Sequence, residues 1–190
     1  IHVQSYWVTR PDGNQISPFS SWGATNELTL KPDITAIGGS VVSAYKNGSI
    51  AISSGTSMAS PAIAGISVLV RQYLKSTTNL GGRELAAAVD KLMMSSASPV
   101  TDTDSGLPFS PRVQGAGLVD AGKAVSVGAY INVAGTDKSK FELGDDRART
   151  GCYTMTFDVV NITNETKVYN LSVSALTESA VCGRVNPDHT

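Results

Sequence analysis

Two periodicities divide the chain. From Ser57 to about Leu74 the residues Ala59, Ala62, Ile63, Ala64, Ile66, Val68, Leu69 and Val70 leave almost no polar face. A helix apolar all round is a buried helix, so this run predicts a core helix that emerges at Arg71, Gln72 and Lys75. Gly65 inside it costs about 1 kcal/mol relative to alanine, which points to close packing at that position. A second helix fits Arg83 to Ser95. There Leu85, Ala88, Val89, Leu92 and Met93 recur at helical spacing, and Arg83, Glu84, Asp90 and Lys91 occupy the rest. Asp120 or a neighbour opens a short third helix, Ala121 to Val127.

The other periodicity is alternation. Ile1 to Val8 reads as a strand, closed by the turn chemistry of Pro11-Asp12-Gly13-Asn14. Ser40 to Tyr45 and Ser49 to Ser53 read as short strands around Asn47-Gly48, the dipeptide of a type I′ hairpin. After Gly128 four stretches look like strands: Tyr130 to Val133, Lys140 to Leu143, Cys152 to Val160 and Lys167 to Ala175. Short strands punctuated by turns suggest the start of a β-sandwich. Only about 60 residues follow Tyr130, against roughly 100 for an immunoglobulin-like sandwich, so this second domain is expected to be incomplete. The division predicted is residues 1–128 for an α/β unit and 129–190 for the β unit.

Composition excludes more than it selects. The chain has 190 residues, 41% hydrophobic and 16% charged, with a net charge of -1. That balance gives no electrostatic case for nucleic acid or an anionic membrane. No apolar stretch reaches the roughly 18 residues of a bilayer span. Cys152 and Cys182 leave a bridge and two free thiols equally open. Asp102-Thr103-Asp104 and Asp145-Asp146 could be calcium ligands or solvated loop acids, so no metal or other cofactor is assigned. Asn47, Asn161, Asn164 and Asn170 lie in Asn-x-Ser/Thr sequences, which are glycan acceptors in some secreted proteins.

Chemistry concentrates in Gly55-Thr56-Ser57-Met58-Ala59-Ser60-Pro61. A serine between small residues opens the long apolar helix. At such a helix start, unpaired N–H groups and the positive end of the dipole face any developing oxyanion. The alternative is an ordinary capped helix start. Pro61 lacks an N–H and is tolerated in a first turn. Either the regular helix begins near Ser60, or the Ser57 carbonyl loses its partner.

The heptapeptide resembles the serine motif G-T-S-M-A-x-P of the subtilisin-like proteases, the subtilases. Phe19-Ser20-Ser21-Trp22-Gly23 resembles their F-S-S-x-G segment, and Leu30-Lys31-Pro32-Asp33-Ile34-Thr35-Ala36 their L-K-P-D-[IV]-x-A-P-G segment, departing at Ile37 where proline is usual. Pro61-Ala62-Ile63-Ala64-Gly65 resembles P-H-V-A-G, with Ala62 in place of the common histidine. Ser110 to Ala121 is similar to a closing segment of the large cell-envelope subtilases, those of the C5a peptidase and lactocepin type. The resemblance covers about Ser17 to Val127.

It implies the C-terminal part of a parallel-sheet α/β domain, followed by a fibronectin-III-like sandwich. It implies a serine endopeptidase that acts outside the cell or at its envelope. Ser57 alone matches a triad position. Its N–H would join the oxyanion hole, Met58 would line the leaving-group side, and sulfoxide formation at Met58 would impair turnover. Ser54, Gly55 and Thr56 would border the substrate by position.

A nucleophilic serine needs a base. His2 and His189 sit at the termini in no family context. Asp12, Asn14 and Asn26 match no family motif, and Asp33 falls in a segment that is structural in the family. Only 56 residues precede Ser57, whereas in the family the aspartate and histidine lie upstream. The chain is therefore expected to be a C-terminal subtilase piece. Its partners would be the remainder of the protease, carrying Asp, His and the oxyanion Asn, and a protein or peptide substrate. A catalytically incomplete pseudo-protease or surface adhesion module is the alternative, and a carbohydrate-binding sandwich a third class with no aromatic platform behind it.

Overall fold

A computed structural model describes residues 13, 15–27, 29–143 and 147–174. The predicted strand Ile1–Val8 and most of the turn after it lie outside these, as do His2, His189, Cys182 and Asp145-Asp146. The described elements run β1 (Val41–Ala44), β2 (Ile50–Ser53), α1 (Thr56–Thr77), α2 (Gly82–Ser96), α3 (Pro111–Gln114), α4 (Ala121–Ser126), β3 (Ala129–Val133) and β4 (Phe157–Asn161).

The core forms where two apolar stripes meet. Val70 and Leu74 of α1 pack with Leu85, Ala88, Val89, Leu92 and Met93 of α2, and Ala124 of α4 and Tyr130 of β3 close the cluster. Each of the valine, leucine and methionine side chains contributes about 1.5–3 kcal/mol by leaving water. The i, i+3, i+4, i+7 spacing in α2 places its five apolar residues on one face. Lys91 departs from the expected polar face. It is buried, and its ammonium donates to Asn132 Oδ1 at 2.7 Å, which satisfies a charge that would otherwise be costly there. A second tie joins the same elements, where the Ile131 N–H donates to Ser95 Oγ at 3.0 Å. Asp120 caps α4 as predicted, accepting from the Lys123 N–H at 2.9 Å.

α1 corrects one expectation. The all-round apolar run predicts a buried helix, yet only its face toward α2 and α4 is covered. Val68 and Leu69 are 62% and 54% exposed, and Pro61, Ala62, Ala64 and Gly65 are exposed with them. An added Cβ at Gly65 would meet nothing within 4 Å, so the close packing expected there has no partner among the described residues.

β1 and β2 pair antiparallel in the expected hairpin, with Val42 opposite Ile52 and Ala44 opposite Ile50. At the tip Asn47 and Gly48 have φ of 58° and 71°, as a type I′ turn requires. The Ser49 N–H closes it on Lys46 O at 3.3 Å. Because side chains alternate across a strand, Val42, Ala44, Ile50 and Ile52 share one face, and that face is exposed too.

The β region holds one two-stranded antiparallel sheet, β3 with β4, in register from Ala129–Asn161 to Val133–Phe157. Of the other expected strands, Lys140–Leu143 and the described part of Lys167–Ala175 are not formed, and Cys152–Val160 is realised only from Phe157 onward, as β4. Alternation alone does not make a strand without a neighbour to accept its hydrogen bonds, and Val168 and Val173 are almost fully exposed. The one parallel pairing among the described residues is the bridge between Thr35 and Leu118.

Candidate active site

Two segments meet at the turn before α1, and the glycine turn 115–117 braces the first of them. The first is the extended stretch 31–38. Asp33 O accepts from the Ala116 N–H at 3.0 Å, the Thr35 N–H donates to Gly117 O at 2.9 Å, and the Val119 N–H donates to Thr35 O at 2.9 Å. These bonds lay the stretch beside the glycine turn 115–117. It ends at Gly38, whose carbonyl accepts from the Gly55 N–H at 2.9 Å. The second segment is the hairpin, which delivers β2 directly into Ser54 and Gly55. The Ser54 hydroxyl accepts from the Ser40 N–H at 2.8 Å and ties the two ends of the hairpin together.

Glycine is needed at both contacting positions. Gly55 has φ 154° and ψ 162°, a region essentially confined to glycine. A Cβ on Gly38 would lie 2.7 Å from Gly55 O and 3.2 Å from Ala59 Cβ.

The helix then starts abruptly. Thr56 and Ser57 are its first two residues, with Gly55 as N-cap and no side-chain cap. A serine or aspartate at that position would consume a first-turn donor. Here the Met58 N–H already donates to Gly55 O at 3.0 Å, and the Thr56 and Ser57 N–H groups have no acceptor among the described residues. Ser57 is exposed, and its hydroxyl has no hydrogen-bond partner among the described residues. Pro61 lies inside the helix, so of the two alternatives the second holds, and Pro61 offers no N–H to the Ser57 carbonyl. Met58 is half-buried beneath the turn. The structure thus brings Ser54, Gly55, Thr56, Ser57 and Met58 together at the start of α1, where Ser54, Thr56 and Ser57 are exposed and the Ser57 hydroxyl and the Thr56 and Ser57 N–H groups have no partner among the described residues.

The remaining candidates serve the scaffold. Asp33 forms ion pairs with Lys31 and with Lys140, the latter at 2.7 Å. Burial raises its carboxyl, but the hydrogen bonds and charges of Lys140 and Lys31 outweigh this and hold it below the ordinary carboxylate value. Burial pushes Asp90 up, and the negative charge of Asp33 adds to that. Asp102 accepts from the Ser105 hydroxyl at 2.7 Å and from the Asp104 and Ser105 N–H groups. Its carboxyl is lowered chiefly by that hydroxyl.

Sequence reasoning missed three residues that hold the site's frame. Gln114 is fully buried; its amide donates to Phe109 O at 2.5 Å and its Oε1 accepts from the Val100 N–H at 2.6 Å. Arg112 donates through Nε to Gly23 O at 2.6 Å and accepts at its carbonyl from the Gly23 N–H at 2.8 Å, which docks the loop Phe19–Gly23. Lys140 lies in the segment 140–143 expected as a strand. Neither Lys140 nor Gln114 carries a sequence signal for its role, because each bonds backbone groups, Leu30 O for Lys140 and the Val100 N–H and Phe109 O for Gln114.

An exposed serine at an uncapped helix start, held by a Gly–Gly contact to a Lys-Pro-Asp segment, is the arrangement the sequence motifs describe. Residues 6–117 match the Subtilase family, and the chain belongs to that family. Over 134 residues it is 40% identical to a C5a peptidase of Streptococcus pyogenes, covering 70% of this chain and 12% of that protein. Over 187 residues it is 32% identical to the PI-type and PII-type proteinases of Lactococcus lactis subsp. cremoris, covering 92% of this chain and 10% of each of those. The chain therefore spans about a tenth of the length of these relatives.

Proposed function

We propose that this chain supplies the nucleophile of a serine endopeptidase. Ser57 Oγ attacks the scissile carbonyl, the amine leaves with the proton taken from Ser57, and water then hydrolyses the acyl-enzyme. The Ser57 N–H donates to the oxyanion at the uncapped helix start. Ser54, Gly55 and Thr56 border the substrate, and Met58 lies under the leaving-group side. The observation that carries this reading is the exposed Ser57 at the start of α1, without a hydroxyl partner among the described residues, within a segment that matches the subtilases.

The base, its orienting aspartate and the oxyanion asparagine come in this proposal from protease sequence outside these 190 residues. The bare faces of α1 and of the β1–β2 hairpin support this, because a helix apolar all round is stable only when covered. The chain by itself is then inactive. The β region from residue 129 is read as the first part of a fibronectin-III-like unit, and the site of action as extracellular or at the cell envelope. Among the described residues no helix is long and apolar enough to cross a membrane. The test is cleavage of a quenched fluorescent peptide library by the full-length gene product. Turnover that is abolished by Ser57→Ala supports the reading. Turnover unchanged by Ser57→Ala refutes it, as does a full-length product that cleaves nothing, which favours the pseudo-protease.

A further inference from the structure

One cation from the β region reaches into the serine-bearing region. Lys140 follows β3 in the chain, beyond the turn 134–137. Its ammonium lies 2.7 Å from Asp33 Oδ1 and 3.5 Å from Glu142 Oε1, and it donates to Leu30 O at 2.5 Å. The side chain is only 15% exposed, whereas Lys31, the other cation on Asp33, is 52% exposed. Partly buried charge-assisted bonds of this kind are screened less by solvent than fully exposed ones. The two acceptors, Leu30 O and the Asp33 carboxylate, flank the start of the stretch that runs to Gly38.

That stretch is held along one side by the glycine turn, through Ala116, Gly117 and Val119. Its far end is the Gly38 carbonyl, which receives the Gly55 N–H two residues before Ser57. A slip at Lys140 therefore has a continuous path of backbone bonds to the serine turn, ending in the 2.9 Å bond from the Gly55 N–H to Gly38 O, where even an added Cβ on Gly38 would lie only 2.7 Å from Gly55 O.

We infer that Lys140 is a positioning residue for Ser57: it anchors the stretch 30–38 from the β region and thereby fixes the Gly38–Gly55 contact. The inference rests on Ser57 being the nucleophile. It makes the β region a working part of the protease and not a passive extension.

The test uses the full-length gene product and two variants, Lys140→Met, which keeps the side-chain length without the charge, and Lys140→Arg, which keeps the charge. Two quantities are read well below the melting temperature. One is the limiting rate of reaction with a fluorophosphonate at saturating probe, together with its half-saturation concentration. The other is amide hydrogen exchange over residues 30–39 and 54–58. The expected result is a limiting rate about tenfold lower in Lys140→Met, since displacements near 1 Å at a reacting group cost up to about a hundredfold. Half-saturation is unchanged, exchange rises in both segments, and Lys140→Arg restores most of both.

A purely structural role would lower the melting temperature while leaving the limiting rate and the exchange at 54–58 at wild-type values, and that result overturns the inference. If the wild type does not react at Ser57, the nucleophile reading fails. The coupling is then still decided by exchange at 54–58, which an uncoupled Lys140 would leave unchanged.

Discussion

Gly38→Ala tests the packing that sets the serine turn. The new Cβ would begin 2.7 Å from Gly55 O and must reach about 3.4 Å for ordinary contact, a displacement of roughly 0.7 Å. The atom in the way is backbone, not the tip of a flexible side chain. Gly55 O also accepts from the Met58 N–H, and the Gly55 N–H donates to Gly38 O, so the strain falls on the first turn of α1 and on Ser57. Overpacking of this kind costs about 1–3 kcal/mol. The rate cost follows from geometry: with a 1 Å misplacement worth up to about a hundredfold, a shift near 0.7 Å predicts a loss of about 10- to 50-fold. The assay is the fluorophosphonate reaction rate of the full-length gene product, with urea unfolding alongside. The predicted pattern is a large rate loss with a modest stability loss. Wild-type rate and wild-type stability in Gly38→Ala would refute the reasoning, because they would mean that the two glycines do not touch.

Further outcomes follow from the same contacts. Gly65→Ala should destabilise the full-length protein by about 1–3 kcal/mol if protease sequence covers α1; stabilisation by about 1 kcal/mol, the helix-propensity gain, would show in a thermal melt that this face is bare. Gln114→Leu leaves the Val100 N–H and the Phe109 carbonyl without their buried partner and should cost about 2–4 kcal/mol, read from the urea midpoint. Asp33 has a lowered native pKa, so its stabilising contribution is complete above the unfolded value of about 3.9 and is lost as pH falls through the lower native value. Urea midpoints between about pH 2 and pH 6 should therefore show a shallower acid limb in Asp33→Asn. Asp90 has the opposite sign, since burial raises it, and Asp90→Asn should be neutral or stabilising at pH 7.

The helices were legible because their signals are local. The apolar spacing in α2, the Asp120 cap and the Asn47-Gly48 turn each lie within a few residues, and each is found where it was expected. The exposure of α1 was legible only in part. Its composition says that it must be buried, but what buries it is not encoded in the helix. The β region misled for the same reason: the alternation in Lys167–Ser174 is a strand pattern, yet strands form by pairing, and among the described residues after Gly128 the paired strands are β3 and β4. The serine turn was readable as a motif, while its support was not. Lys140 and Arg112 act across 110 and 89 residues of sequence, on Leu30 O and Gly23 O, and Gln114 acts on backbone groups of Val100 and Phe109 that carry no side-chain signature.

The central claim is that Ser57 is a nucleophile whose base lies outside these 190 residues. The most direct measurement is peptide mapping by mass spectrometry after fluorophosphonate treatment of the full-length gene product and of the 190-residue chain alone. The account predicts a single phosphonyl adduct on Ser57 in the full-length protein and none on the chain alone. An adduct on another serine, no adduct in the full-length protein, or full-rate modification of the chain alone would contradict it.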